Sequence, residues 1–490
     1  MLVGTPSALV PPALPPRRSR RAAGAVVVAL VMVLVTGGAA WMSHDSGPHF
    51  PDHWDPRVAD LARFVERTRG LRYDHPVRVY FLSAAEYRRA ILGPDIHPTA
   101  TDRADSRRRV GLLRALGVVD GDPDLLNDEN TLADAGSLAF YDFRTKVVNV
   151  RGHTMTPGLR VTLAHELTHA LQDQHFDVRR ASSSGDSEAS DAARSVIEGD
   201  AVGVQNRYVD EEMSAADRAA YEKEQQGSVD QATGQLGAVP DYLTGIFSAP
   251  YSFGPAFVSL FGSNSHGDPD NAAIDGLLST PPPAMSRLFD PIDQLRGVAV
   301  QKVPPPSVSE STFDHGSIGA VSLFAMLADR LDAVTAMDAT DGWGGDSYVA
   351  YEKGTGSDRR VCVSATVRAK DPAAFGGLRD ALRGWQKAMP TAADATVSVH
   401  GDDVSLTSCD PGPITSGVGH RFSTALGYPV VRLAIADSTR SQGGGSQQRA
   451  ICVGDTAVRK FTPEDLAATD LTPELRAKLS EAVAAAAINC

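Results

Sequence analysis

The sequence predicts an α+β protein behind a single N-terminal apolar segment. Three observations predict it: paired apolar runs at 137–141 and 146–150, a strongly marked helix beginning after Thr156, and alternating strand-like and helical patterns around the cysteines of the last third. At 490 residues the chain has room for about two or three domains. Its 42% apolar content, with 44 Gly and 31 Pro, excludes wholesale disorder, collagen and a multi-span membrane protein. Net charge is −13, and because residues 1–42 carry four arginines and no acid, the remainder carries −17. That balance excludes a broad electrostatic grip on nucleic acid.

Residues 1–21, rich in Pro and Arg, read as a disordered cytoplasmic tail. Residues 22–42 are 21 positions without a charge, close to the roughly 20 that a helix needs to cross a hydrocarbon core. Arg17, Arg18, Arg20 and Arg21 just before them keep the N-terminus inside and export the chain beyond Met42. A cleaved signal peptide is the rival, since Gly37 to Ala40 are small, and Arg20-Arg21 leaves a twin-arginine signal open. The apolar stretch exceeds the usual signal core of about 7–15 residues, which favours an uncleaved membrane anchor. Every reading puts the bulk outside the cytoplasm, at the membrane or secreted. Cys362, Cys409, Cys452 and Cys490 lie too far apart for a zinc ribbon, so two disulfides are expected in an oxidising compartment, with three pairings open.

A polar linker at 43–55 leads into a mixed domain over 56–300. It opens with a helix through Val58, Leu61, Phe64 and Val65, a strand at 77–82, a helix after Ser83 and a charged loop at 101–109. The runs at 137–141 and 146–150 form a hairpin across 142–145. Thr156 is a good N-cap and Pro157 suits the first helical position. A Ser-rich loop at 181–190 precedes a second helix at 191–211, with Ala193, Ile197, Ala201, Val204 and Tyr208 on one face. Surface helix runs to 231, with further helix and turn at 250–260 and 271–289. A smaller α+β module spans 312–490: a helix at 317–331, a turn at 342–346, strands at 347–351 and 361–367, a helix at 373–385 and a strand at 395–399.

The chemistry concentrates in His165-Glu166-Leu167-Thr168-His169. At about 100° per residue, Leu159, Leu163, Leu167, Ala170 and Leu171 make a packing stripe, and His165 and His169 share the nearly opposite face. Histidines four apart on a helix can bind one cation, while Glu166 stands beside it to take a proton from its water. By chance the bare pattern arises in on the order of one such chain in a hundred, so the capped, amphipathic context matters. A catalytic zinc needs a third protein ligand. Glu198, an acid at the border of the next helix's apolar face, is the best candidate, because such burial is costly without a cation. His175, six residues after His169, is the rival; it has the metzincin spacing, but Gln172 stands where those enzymes place Gly.

On His165, Glu166, His169 and Glu198 the chain resembles the gluzincins, the thermolysin-like zinc metallopeptidases. The longer run from His165 to His175, with Glu198-Gly-Asp-Ala201 and the Gly342-to-Asp346 turn, resembles a group of exported bacterial HExxH proteins, over about residues 56–350. The resemblance implies a zincin-like domain with an active-site helix and an edge hairpin, Zn2+ held by His165, His169 and Glu198, and Glu166 as general base. The implied function is extracytoplasmic hydrolysis of a peptide or protein substrate. Thermolysin-like enzymes carry an Asp four residues after the ligand Glu; here that position is Val202 and the nearest acid is Asp200, so Asp173 is considered as an orienting partner instead. Tyr251 and His315 are candidate oxyanion donors. The competing reading is a cell-envelope binding or structural protein with a non-catalytic metal site.

Overall fold

The computed structural model describes residues 50–490 apart from 94–97, 136, 183–186, 265, 415–421, 444 and 468–471. The expected tail, the membrane segment and most of the linker lie outside the described residues, among which no helix is long and apolar enough to cross a membrane. Helices of nine residues or more are numbered.

Among the described residues the fold is α+β, with two separate sheets. Helix α1 (Ala59–Arg69) leads to strand β1 (Arg78–Leu82), and helices α2 (Ala84–Leu92), α3 (Ala100–Leu116) and α4 (Leu125–Asp134) precede the hairpin β2 (Ala139–Asp142) and β3 (Val147–Arg151). These strands form a sheet of order β1-β3-β2, in which β1 runs parallel and β2 antiparallel to β3. The expected charged loop at 101–109 is instead the first half of α3. Thr99 and Asp102 cap that helix reciprocally, and its buried residues, from Val110 to Leu116, all fall in its second half, so the first half carries no apolar period.

Helices α5 (Pro157–His175), α6 (Ser187–Glu211), α7 (Ala215–Leu236), α8 (Asp241–Phe261) and α9 (Asn271–Ser279) come next. Helix α6 begins four residues before the predicted 191, so the Ser-rich segment is in part helix. Pro250 and Pro255 lie inside α8, and because an internal Pro ordinarily marks a helix start, the sequence places its beginning too late. The C-terminal part adds β4 (Thr312–Gly316), α10 (Gly319–Ala328), α11 (Ala333–Asp341), β5 (Trp343–Lys353), β6 (Arg360–Ala369), α12 (Pro372–Ala388), β7 (Thr396–His400) and β8 (Asp403–Cys409). The five strands form an antiparallel sheet of order β4-β5-β6-β8-β7. Helices α13 (Gly427–Ser441), α14 (Gln447–Val458) and α15 (Pro473–Asn489) end the chain.

The expected turn at 342–346 is the start of β5. Its Asp346 carboxylate accepts from Ser317 Oγ (2.6 Å) and from the N–H groups of Ile318 (2.5 Å) and Gly319 (3.1 Å), which seats it on the N-terminus of α10, and from Trp343 Nε1 (3.1 Å). The disulfides pair Cys362 with Cys409, neighbours across β6 and β8, and Cys452 with Cys490, tying α14 to α15.

One apolar core joins Leu112 and Leu116 of α3, Val196 and Ile197 of α6, Phe253 and Phe257 of α8, and Phe324, Trp343, Val363 and Trp385, so it draws residues from both sides of 300–312. A second core lies between α1, the three-stranded sheet and α5, through Leu61, Phe64, Val148, Val150, Leu159, Leu163, Leu167 and Tyr208. Helix α6 supplies residues to both.

Helices α6 and α8 meet at Gly199 and Gly254. A Cβ on Gly254 would lie 2.1 Å from the Ser195 carbonyl oxygen, and one on Gly199 would lie 2.3 Å from the Gly254 oxygen. Backbone faces backbone there, and no side-chain rotation relieves the overlap. Gly254→Ala is expected to destabilise the fold by about 2–4 kcal/mol in denaturant unfolding. A loss under about 0.5 kcal/mol, the size of an ordinary surface change, would show that the two helices can separate freely.

Candidate metal centre

Helix α5 starts where its sequence says it should. Thr156 Oγ1 accepts from the Leu159 N–H (3.2 Å), and Glu224 of α7 accepts from the Gly158 N–H (2.8 Å), so a carboxylate sits at the positive end of the helix. The stripe from Leu159 to Leu171 packs as expected, but the opposite face is buried as well, under β2 and α6. His165, Glu166, His169 and, on α6, Glu198 are each no more than 3% exposed.

These buried side chains converge. His165 Nε2 and His169 Nε2 are 2.9 Å apart, and Glu198 Oε2 is 3.1 Å from the first and 3.3 Å from the second. Ligand atoms about 2.0–2.2 Å from a tetrahedral ion stand about 3.3–3.6 Å from one another, so an expansion of a few tenths of an ångström would seat one. Among the described residues this is the one group of three or more His, Cys, Asp or Glu side chains with the closeness a metal requires. Two imidazoles and one carboxylate are a donor set suited to zinc.

Residues 308–409 match a family described as a domain of unknown function (DUF8575). The matched stretch holds the whole five-stranded sheet and none of the converging residues. No curated protein and no solved structure matches the chain.

Glu166 is buried within reach of the His169 and Glu198 charges without joining the triad. Its Oε2 accepts from the Tyr141 N–H on β2 (2.7 Å), and its Oε1 is buried with no partner. Burial pushes its pKa up to about 8, against the pull of His169 and the Tyr141 hydrogen bond. Burial also works against a charge on His169, but the facing Glu198 carboxylate outweighs it and lifts that imidazole to about 9. Burial would raise Glu198, yet His169 and His165 hold it at about 2. His165 is lowered by burial. Without a cation the triad is therefore a buried imidazolium–carboxylate pair. Metal loading near neutral pH is expected to release about one proton or more per site, visible as a binding enthalpy that varies with the buffer's ionisation enthalpy. Identical enthalpies in phosphate and Tris would sink this expectation.

Tyr251, from α8, is buried, and its hydroxyl is hydrogen-bonded to Glu198; burial, then the Glu198 charge, keeps it neutral far above physiological pH. The Gly199–Gly254 contact is what brings this face of α8 so near α6. His315, the other oxyanion candidate, is exposed on the edge strand β4 and stands apart from the buried triad.

Two rival assignments fall away. His175 is exposed, and its Nε2 donates to the Arg72 carbonyl (2.6 Å); α5 continues through Gln172 with no sharp end, so His175 never turns towards the triad. Asp173 does not orient a histidine: it accepts from Tyr141 Oη (2.7 Å) and Lys146 Nζ (2.5 Å), bracing β2 and the hairpin turn. The group that touches His169 is Gln172, whose Oε1 lies 2.9 Å from Nδ1. Sequence reasoning missed it because Gln reads simply as a helix former there.

Proposed function

We propose that this chain is an extracytoplasmic zinc-dependent peptidase, anchored by its N-terminal apolar segment. One observation carries the reading: beside three converging ligand atoms sits a fourth buried group, Glu166, with one oxygen left unpartnered and close enough to the triad for the charges of His169 and Glu198 to act on it. A purely structural ion needs ligands but no such base. The two disulfides suit an oxidising compartment.

Zinc, when bound, would polarise a peptide carbonyl and acidify a water. The chain's own residues do the rest. His165, His169 and Glu198 would hold the ion, and Glu166 takes the proton of the attacking water and passes it to the leaving amine. Strand β2 lies at the edge of its sheet, and the Tyr141 N–H that reaches Glu166 points away from the partner strand β3. An extended substrate would add along β2 through main-chain bonds, freeing Glu166 as it takes up that N–H. The architecture assigned on this reading is zincin-like, with α5 as active-site helix and β2–β3 as its edge hairpin.

A second reading, an envelope binding protein with a structural ion, draws on the near-complete burial of the triad. Zinc content and casein cleavage of the detergent-purified full chain separate the two. Full zinc occupancy without cleavage would favour the binding protein, and cleavage abolished by a chelator and restored by zinc would favour the peptidase.

A further inference from the structure

Beyond the triad, a line of buried polar groups runs outward from His169. Gln172 Oε1 meets His169 Nδ1 at 2.9 Å, while Gln172 Nε2 donates to the Ile197 carbonyl (3.0 Å) and to Asp200 Oδ2 (2.8 Å). Asp200 is held by Arg69 Nε, 2.9 Å from Oδ1, with both side chains 2% exposed. Arg69, the last residue of α1, is fixed in turn by Asn271 Oδ1 (2.9 Å) and Asp275 Oδ1 (2.6 Å) of α9. Four helices thus converge on a single imidazole nitrogen.

The chemistry of the partners fixes the direction of every bond. A main-chain carbonyl and a carboxylate accept only, so both must face the Gln172 NH2, which leaves the amide oxygen for His169. An amide oxygen accepts only, so Nδ1 must carry its proton. When the imidazolium gives up its second proton on a cation's arrival, the lone pair is then confined to Nε2, the atom that faces His165 and Glu198. A glutamine able to flip its amide would donate to Nδ1 instead and place the proton on Nε2, where no metal could bind. Asp200, anchored by Arg69, forbids that flip. A buried ion pair adds little net stability on average, so the more telling consequence of the Arg69–Asp200 pair is orientation.

We propose that Gln172 is the positioning residue of the metal centre, holding His169 as an Nε2 ligand, and that Asp200 and Arg69 act through it by locking its amide. The proposal rests on the reading that the triad binds a metal and adds to it the group that selects the ligating nitrogen. It also accounts for the acid two residues after Glu198: one helix, α6, supplies both the carboxylate ligand and the lock on the opposing histidine.

The test uses the full chain with zinc as the probe, reading the apparent zinc dissociation constant by competition with a chromophoric chelator, and the melting temperature with and without metal. Gln172→Met keeps the length and removes the acceptor, and is expected to weaken zinc binding by about 10–100-fold, the usual cost of losing a ligand's hydrogen-bond partner. Gln172→Glu, made together with Asp200→Asn so that the amide introduced at position 200 donates where the Gln172 NH2 did and no two carboxylates face each other, restores an acceptor oxygen for Nδ1–H, and this Glu variant is expected to bind at least about tenfold more tightly than Gln172→Met. A glutamine that merely stabilised the fold would lower the metal-free melting temperature without that rescue. Zinc affinity of Gln172→Met within about twofold of the parent, or a Glu variant as weak as the Met variant, overturns the proposal. If Gln172→Met does not fold, the Glu variant decides alone, and a loss beyond about tenfold counts against it. A parent chain that takes up no zinc refutes the metal-centre reading itself, whereas a parent that binds beside a Met variant that binds equally well refutes only the positioning role.

Discussion

Replacing Glu166 with Gln is expected to lower peptide hydrolysis by about 10²–10⁴-fold while zinc content stays at the level of the parent chain. The substitution keeps the side chain's shape, and the new amide oxygen can still accept from the Tyr141 N–H at the edge of the sheet, so the local packing has no reason to change. What disappears is the basic oxygen. Glu166 Oε1 is buried without a partner, and an amide placed there cannot carry a proton from water to a leaving amine. Because Glu166 is not among the converging ligand atoms, the ion should remain. Casein cleavage and elemental analysis on the same preparations check both halves. Undiminished cleavage would assign the base to another residue, and a parallel loss of zinc would make Glu166 a structural part of the site.

How far this site could be read from the sequence depends on how local each signal is. Thr156, Pro157 and the two histidines lie within fourteen residues of one helix, so capping preference and the 3.6-residue period place them without tertiary information. Glu198 was legible for a different reason, since an acid among Val196, Ile197 and Ala201 requires a partner to be buried. Gln172 carries no such mark. Its role exists only because Asp200 and Arg69, from separate helices, close around its amide. The same division appears in the fold. The β2–β3 hairpin declares itself by two apolar runs and a short gap, whereas the first half of α3 is polar because it packs nothing, and only its reciprocal Thr99–Asp102 cap reveals it. In the sheet order β4-β5-β6-β8-β7, β6 pairs with β8 across the intervening α12 and β7, which no local pattern records, and β4, exposed along most of its length, has no alternation to read.

The identity of the third ligand is decided by comparing Glu198→Ala with His175→Ala. Loss of the Glu198 carboxylate removes one of three converging donors and leaves His165 and His169 with Nε2 atoms 2.9 Å apart and no carboxylate among the converging ligand atoms to balance a divalent charge. Zinc affinity is expected to fall by more than the roughly 10–100-fold that loss of an outer hydrogen-bond partner costs. Glu198→Gln, which preserves volume but not charge, should show most of the same loss, separating the effect from a cavity on α6. His175→Ala should leave affinity within about twofold, since its imidazole is exposed and spends its Nε2 on the Arg72 carbonyl. Elemental analysis after dialysis against buffered zinc reads all three variants. The opposite ranking would require α5 to end near Gln172 so that His175 could swing inward, and that would break the Gln172 bonds to His169, Ile197 and Asp200 together. The two arrangements are therefore mutually exclusive, and a single measurement of metal retention chooses between them.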